Sequence, residues 1–249
     1  MENLPLPKNF TVEAGPTPNS ATFTIEPCFP GYGATLGNAL RRVLLSSLPG
    51  AAITAVKIEG VEHEFSTLPH VAEDVVAMLL NLKGVRFRLH GDEPITVTLD
   101  VSGEKVVTAG DITKNAQAEV VNPAHPIATL TDSKGTLQME LTVGPGRGYV
   151  PVENREKERL PLGTIAVDST YTPVKNVTFD VEHVRVEQIT NFDRLRITVT
   201  TDGTLSPVAA VNRASGILVD HFAVVRDRFP EDTPHPAKPK RKPKAETTE

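Results

Sequence analysis

Three groups of residues have types and spacing that could do chemistry: the glycines of Val143-Gly-Pro-Gly-Arg-Gly-Tyr149, the seven histidines, and the adjacent acids Glu73 and Asp74. Closely spaced glycines let backbone amides approach an anion, so Gly144, Gly146 and Gly148 raise the question of a phosphate loop. A Walker loop needs a lysine and a hydroxyl residue after its second glycine, and a dinucleotide loop must open a helix. Here the glycines follow a strand pattern and lead into Tyr149-Val150-Pro151, which reads as a structural turn. The histidines are scattered, with no pair at helical metal-ligand spacing and no histidine–cysteine cluster. His63 beside Glu64 and His183 beside Glu182 read as ordinary surface or core residues. Glu73 and Asp74 fall in the first turn of an expected helix, where they complement its dipole. No nucleophile and base can be paired from spacing, since such groups are brought together only by the fold, so no active site is visible in the sequence.

Composition narrows the classes further. With 249 residues and 39% hydrophobic content, the chain can bury a core of one large or two ordinary domains. Its 26 basic residues are outnumbered by 31 acidic ones, so its surface as a whole is not the basic field that non-specific nucleic-acid binding requires. The single cysteine, Cys28, excludes an internal disulfide framework and fits a reducing compartment. No apolar run approaches a membrane span of roughly 20 residues, and the amino terminus lacks the pattern of a secretory signal.

The elements that would position any site follow from periodicity. Phe23 and Ile25 alternate with polar residues over 21–26, and Pro27 should stop that strand. Period-two alternation recurs at 53–59, 95–101, 137–143, 174–182 and 195–201. One helix is expected over 36–48 with Thr35 as its cap, and a second over 70–83 with Gly84 as the left-handed residue after its end. A long third helix should open at Ser206-Pro207, because proline at the first helical position loses no amide partner. Val208, Val211, Ser215, Leu218, Phe222, Val225 and Phe229 then repeat at spacings of three and four, a heptad seam about 35 Å long. That seam fits either a helix lying on its own sheet or one pairing across a subunit boundary. After Pro230 the chain is rich in proline, lysine and threonine without apolar period, the composition of a disordered tail.

The first helix has two distinct sides. Leu36, Leu40, Val43, Leu44 and Ser47 form an ordinary core face, and Asn38, Arg41, Arg42 and Leu45 fall opposite. Two guanidinium forks beside an outward leucine suit a protein interface, where arginine is enriched, and equally suit a solvated polar face.

Several long motifs in fixed order carry a specific resemblance. They are EPCFPGYGATLGNALRRVLLSSLPGAAITAVKIEGVEHEFSTL (26–68), EDVVAMLLNLKG (73–84), GRGYVP (146–151), VDSTYTPVKNVTFDVE (167–182), RVEQITNFDRL (185–195) and TDGTLSP (201–207). Together they resemble the amino-terminal domain of the bacterial RNA polymerase alpha-subunit family over about residues 10–229. The resemblance implies an α+β, two-lobed fold: a discontinuous dimerisation lobe of residues 1–52 and 175–229, an insert lobe of 53–174, and a tail of 230–249. It implies a homodimeric, cytoplasmic and nucleoid-associated scaffold that nucleates polymerase assembly, with Val208, Val211, Ser215, Leu218, Phe222 and Val225 in the dimer interface. Docking of the beta subunit would use Asn38, Arg41, Arg42, Leu45, Ser46 and Ser47; that of beta-prime would use Lys83, Val174 and Asp180. No catalytic residue would lie in this chain: the magnesium of nucleotidyl transfer would belong to beta-prime, and DNA would be met only through the holoenzyme. The family normally continues into a carboxy-terminal DNA-binding domain, whereas this sequence stops at Glu249, as a fragment of a longer chain or a reduced subunit would, which leaves the promoter role of that domain open. The lysine-rich run 238–244 reads as a solvated linker, with weak phosphate contact as its alternative. A stand-alone nucleotide-binding protein using Gly144 to Gly148 is the rival function, and a DNA-binding module acting through the tail is a third.

Overall fold

The computed structural model describes residues 4–155, 161–186 and 189–229, so the tail expected after Pro230 lies outside the described residues. The amino-terminal half contains β1 (Asn9–Ala14), β2 (Ser20–Cys28), α1 (Tyr32–Ser46), β3 (Pro49–Ile58), α2 (Val75–Leu82), β4 (Phe87–Leu89), β5 (Ile95–Ser102), β6 (Lys105–Thr108), β7 (Ala118–Val120) and β8 (Pro126–Leu130). It continues through β9 (Thr136–Arg147), β10 (Tyr149–Val150), β11 (Thr164–Ala166), β12 (Ser169–Thr170), β13 (Val174–Val186), β14 (Ile189–Thr201) and α3 (Pro207–Arg228). The architecture is α+β, as the sequence implied.

Buried apolar residues fall into two clusters. One spans residues 53–167 and includes Val56, Met78, Leu82, Phe87, Leu99, Ile127 and Leu141. It fills the space between α2 and a sheet of order β5-β9-β3-β4-β7, with β11 on the far part of β3. The other joins distant parts of the chain: Ala21, Phe23, Leu40, Leu44 and Leu48 meet Val174, Val177, Ile197, Val199, Ala210 and Ala214. There α1 and α3 cover one face of an antiparallel sheet of order β1-β2-β14-β13. The other face of that sheet is polar. Thr22 pairs with Thr198 through hydroxyls 2.9 Å apart, and Arg194 and Arg196 reach the carboxylates of Glu26, Glu182 and Glu13. The two clusters are tied where β4 meets the turn after β14. Arg88 donates to the carbonyls of Gly203 and Thr204 at 3.2 Å, and the Arg86 guanidinium lies 3.7 Å from the buried Asp202 carboxylate.

Several expected boundaries move for identifiable reasons. β2 runs through Pro27 to Cys28, and β1, whose six residues are all exposed, was not among the expected strands. α1 starts at Tyr32 with the left-handed Gly31 as N-cap; Thr35 is inside it, its hydroxyl donating back to the Gly31 carbonyl. α2 starts at Val75 because His70 has a positive φ of 62° and Asp74 caps the helix, accepting from the Ala77 amide at 2.7 Å. Glu73 therefore lies outside the helix and accepts from the Thr129 amide and hydroxyl. Gly84 is not left-handed. It leaves room for the His125 imidazole, whose Nε2 would be 2.4 Å from an added Cβ.

The glycine-rich segment is also not the turn that was expected. Gly144 and Gly146 lie within β9, opposite Ala52 and Gly50 of β3, and only Gly148 takes a positive φ. Gly146 leaves room for the Tyr171 ring: an added Cβ would sit 2.6 Å from it. α3 meets the length and composition of a membrane-crossing helix, contrary to the reading of the sequence, and 11% of its apolar window is buried. Arg213 and Asp220 interrupt it, and Pro207, Ala210 and Ala214 bind one side to the sheet. This is the pattern of an amphipathic helix with a second apolar side. Gly146→Ala is expected to destabilise the fold by about 1–3 kcal/mol through overpacking against Tyr171, read as a lower urea midpoint with unchanged far-ultraviolet dichroism.

Candidate subunit-docking surfaces

α1 is held unusually close to its sheet. Its buried residues are Gly33, Gly37, Leu40 and Leu44, so half of the contact stripe is glycine at i, i+4 spacing. A Cβ on Gly37 would lie 2.6 Å from the Phe179 ring, and one on Gly33 would lie 2.9 Å from Asp193 and Val181. Its amino terminus has no side-chain cap from its own sequence. Instead the Asp193 carboxylate of β14, 2% exposed, accepts from the Gly31 amide at 2.9 Å and the Gly33 amide at 3.1 Å. A carboxylate suits that place, because the first-turn amides are unpaired and the helix dipole is positive there. His183 adds a nitrogen 3.4 Å from the other carboxylate oxygen. Next to this anchor, burial and the nearby Asp193 charge push the Cys28 thiol pKa up.

Fixing that face turns the opposite face outward. Asn38, Arg41, Arg42 and Ser46 are exposed, and neither arginine is in an ion pair among the described residues. Leu45 differs from its expected outward position: it is half-buried and packs against the core that includes Leu44 and Leu48. Ser47 is half-buried, and its hydroxyl lies 3.0 Å from that of Ser46. The structure thus places Asn38, Arg41, Arg42 and Ser46 together on one open surface, with Leu45 at its base.

The residues expected at a second contact are not brought together. Lys83 follows α2, and its ammonium lies 2.8 Å from the Asp168 carboxylate, which also accepts from the Val152 amide. The Lys83 hydrogen bond, then that amide, holds the Asp168 carboxyl below its ordinary pKa. Lys83 lines a groove of about 640 Å³ with Phe65, Val76, Leu80 and Glu153. Asp180 is exposed on the polar face of the other sheet, opposite Arg196. Val174 is 4% exposed and belongs to the core, so its side chain is not available to a partner in this structure.

On α3 the seam divides. Val211, Ser215 and Leu218 are half-buried, whereas Val208, Phe222 and Val225 are 54%, 65% and 55% exposed. Val219, Val224 and Phe229 are exposed as well. Val219 and Val224 fall off the heptad and were missed for that reason. Gly33, Gly37 and Asp193 were missed too, although two glycines at i, i+4 inside a helix are a readable sign of close packing. Among the described residues, no group of three or more His, Cys, Asp or Glu side chains is arranged to hold a metal ion.

Two outcomes follow from this geometry. Gly37→Ala is expected to cost about 1–3 kcal/mol of folding stability, because the ring and helix cannot both keep their places, measured by urea unfolding. The Lys83–Asp168 pair should appear in the acid limb of stability. With the Asp168 pKa depressed by folding, its contribution is present above the unfolded carboxyl value and is lost as pH falls through the lower folded value. Lys83→Met should flatten the loss of urea midpoint below about pH 4, the ordinary aspartate range.

Residues 56–172 match the family described as the RNA polymerase Rpb3/RpoA insert domain. The chain is 50% identical over 216 residues to the DNA-directed RNA polymerase subunit alpha of Alkaliphilus oremlandii, covering 87% of this chain and 68% of that protein. It is 48% identical over 227 residues to the subunit of the same name from a Roseiflexus species, covering 91% and 69%. The corresponding subunit of Oceanobacillus iheyensis is 47% identical over 224 residues, covering 90% and 71%. The chain belongs to the DNA-directed RNA polymerase alpha-subunit family.

Proposed function

We propose that this chain acts as the homodimeric scaffold on which a bacterial RNA polymerase assembles, binding beta and then beta-prime in the cytoplasm. The observation that carries this reading is the pair of unpartnered surfaces on the two helices that share one core. α1 presents Asn38, Arg41, Arg42 and Ser46 to solvent, and α3 presents a row of exposed valines and phenylalanines. The apolar row suits a second copy, because an isologous contact buries the same patch on both chains. The arginine surface suits a different partner, since guanidinium forks bind carboxylates bidentately without needing a self-complementary shape.

In this reading the chain contributes positioning to nucleotidyl transfer, and the metal and reacting groups belong to the large subunits. Lys83 and Asp180 are offered for beta-prime contact on separate surfaces, and Val174 supports Val177 and Leu48 from within the core. A nucleotide site at Gly144 to Gly148 has no support, because two of those glycines pair in the β3–β9 ladder, with their approach occupied by Tyr171 and Pro94.

The test is co-expression with the cognate beta subunit followed by size-exclusion chromatography. Arg42→Ala should fold normally, within about 0.5 kcal/mol of the parent chain, as exposed substitutions usually do. Beta retention should fall at least tenfold, about 1.4 kcal/mol of binding free energy. Retention equal to the parent chain's by both Arg41→Ala and Arg42→Ala would refute the docking face. Leu45→Ala is a poorer probe, because its partial burial would mix folding with binding.

A further inference from the structure

The segment that follows β10 sends a cation into the insert lobe without an anion to meet it. The Arg155 guanidinium donates to the carbonyls of Thr54 and Val167 and to the Ser169 hydroxyl, which itself donates to the Ile53 carbonyl at 2.8 Å. These acceptors are all neutral. Among the described residues no carboxylate pairs with Arg155, and its Nε is buried without a hydrogen-bond partner. A guanidinium taken out of water needs its donors filled and its charge balanced. Tyr171 leaves a second polar group in the same state. It is 7% exposed, the hydroxyl-bearing carbon of its ring would be 2.6 Å from a Cβ on Gly146, and its hydroxyl makes no hydrogen bond among the described residues. Both side chains line one cavity of about 340 Å³ over β3, β9 and β11, whose apolar walls include Ala55, Ala166, Pro94 and Pro145.

We propose that this cavity binds a small organic monocarboxylate, with the Arg155 guanidinium supplying the opposite charge and the Tyr171 hydroxyl donating to a carboxylate oxygen. Hydrogen bonds of this charge-assisted kind are the strong ones, and a carboxylate accepts from both donors at once. Arg155 is the one charged residue lining the cavity, so it balances a single negative charge and falls short of a phosphate dianion. The alanine and proline walls suit a short hydrocarbon body, since pockets of this size are mostly apolar with a few placed polar groups. The site is unlike a phosphate loop, because its donors are side chains and Gly144 and Gly146 are strand residues of the β3–β9 ladder. Gly144 matters for space instead. An added Cβ there would be 3.4 Å from Thr54 and 3.8 Å from Pro94, both of which line the cavity. No lining residue belongs to α1 or α3, so the site is independent of the docking and self-association surfaces.

The test titrates the full chain with sodium butyrate, with butyramide and inorganic phosphate as controls, and follows binding by saturation-transfer NMR of the ligand. Butyrate should bind saturably, and the neutral amide and phosphate should not. Tyr171→Phe keeps the ring and removes the donor, so it should weaken butyrate binding roughly tenfold, the scale of one hydrogen bond to a charged group. Gly144→Ala narrows the cavity through ordinary contacts and should weaken binding as well, with unchanged far-ultraviolet dichroism. These two variants carry the test, because Arg155→Gln also removes bonds that hold its own segment in place. Failure of the parent chain to bind butyrate, or equal affinity in the parent, Tyr171→Phe and Gly144→Ala, would overturn the proposal. Butyramide or phosphate binding as tightly as butyrate would overturn it too, as an unselective crevice. A Glu156→Gln/Glu158→Gln chain separates a second source of the same chemistry, two glutamates that lie outside the described residues. If that chain binds butyrate and the parent does not, the carboxylate at Arg155 is the protein's own, and the free ligand is refuted.

Discussion

The closeness of α1 to its sheet is the constraint on which the rest of this half of the molecule depends. Gly33 and Gly37 remove the side chains that would hold the helix away from Phe179 and Val181. Asp193 fixes the end of the helix by accepting from the Gly31 and Gly33 amides, where the helix has no side-chain cap of its own. With axis and rotation both set, Leu40 and Leu44 enter the core and Arg41 and Arg42 must face outward. A buried carboxylate is costly unless its hydrogen-bonding capacity is used. The arrangement therefore couples correct seating of the helix to tolerance of that charge.

The second consequence concerns which surfaces remain for partners. A four-stranded sheet with one polar face needs covering on the other, and two helices span only about three strands. The small Ala210 and Ala214 let α3 pack low on β2 and β14 at its beginning, and its later turns carry apolar residues with nothing beneath them. Exposed apolar area of this kind on a folded chain marks an association surface. The ion network and threonine pairs on the opposite sheet face leave that side solvated, so self-association is directed to the helical side.

Legibility in the sequence followed the physics of each element. Ile95, Val97, Leu99 and Val101 alternate on a half-buried strand, and β5 has almost the expected bounds. The start of α3 was equally plain, since Ser206 caps it by accepting from the Ala209 amide. By contrast α1 draws its cap from Asp193, 160 residues beyond Gly33 in the chain, and no local pattern could indicate that. β1 alternates Phe10, Val12 and Ala14 with Thr11 and Glu13, a strand period that was legible and was missed, although no residue of β1 is buried. The glycines of β9 look like a turn to any local rule, because the Tyr171 ring that requires Gly146 lies elsewhere in the sequence. The docking face was visible as a helical wheel, but only family resemblance attached a partner to it. Leu45 shows the limit of the wheel, since neighbours packed from the core half-bury a position that helix geometry alone directs outward.

The central claim is that the unpartnered helical side is a self-association surface, and sedimentation equilibrium of the full chain across a wide concentration range tests it most directly. A species of twice the 26.9 kDa chain mass is expected, reverting to a single folded chain when Phe222→Glu places a charge on the exposed part of α3. A concentration-independent monomer, or a dimer whose affinity is unchanged by Phe222→Glu, would contradict it.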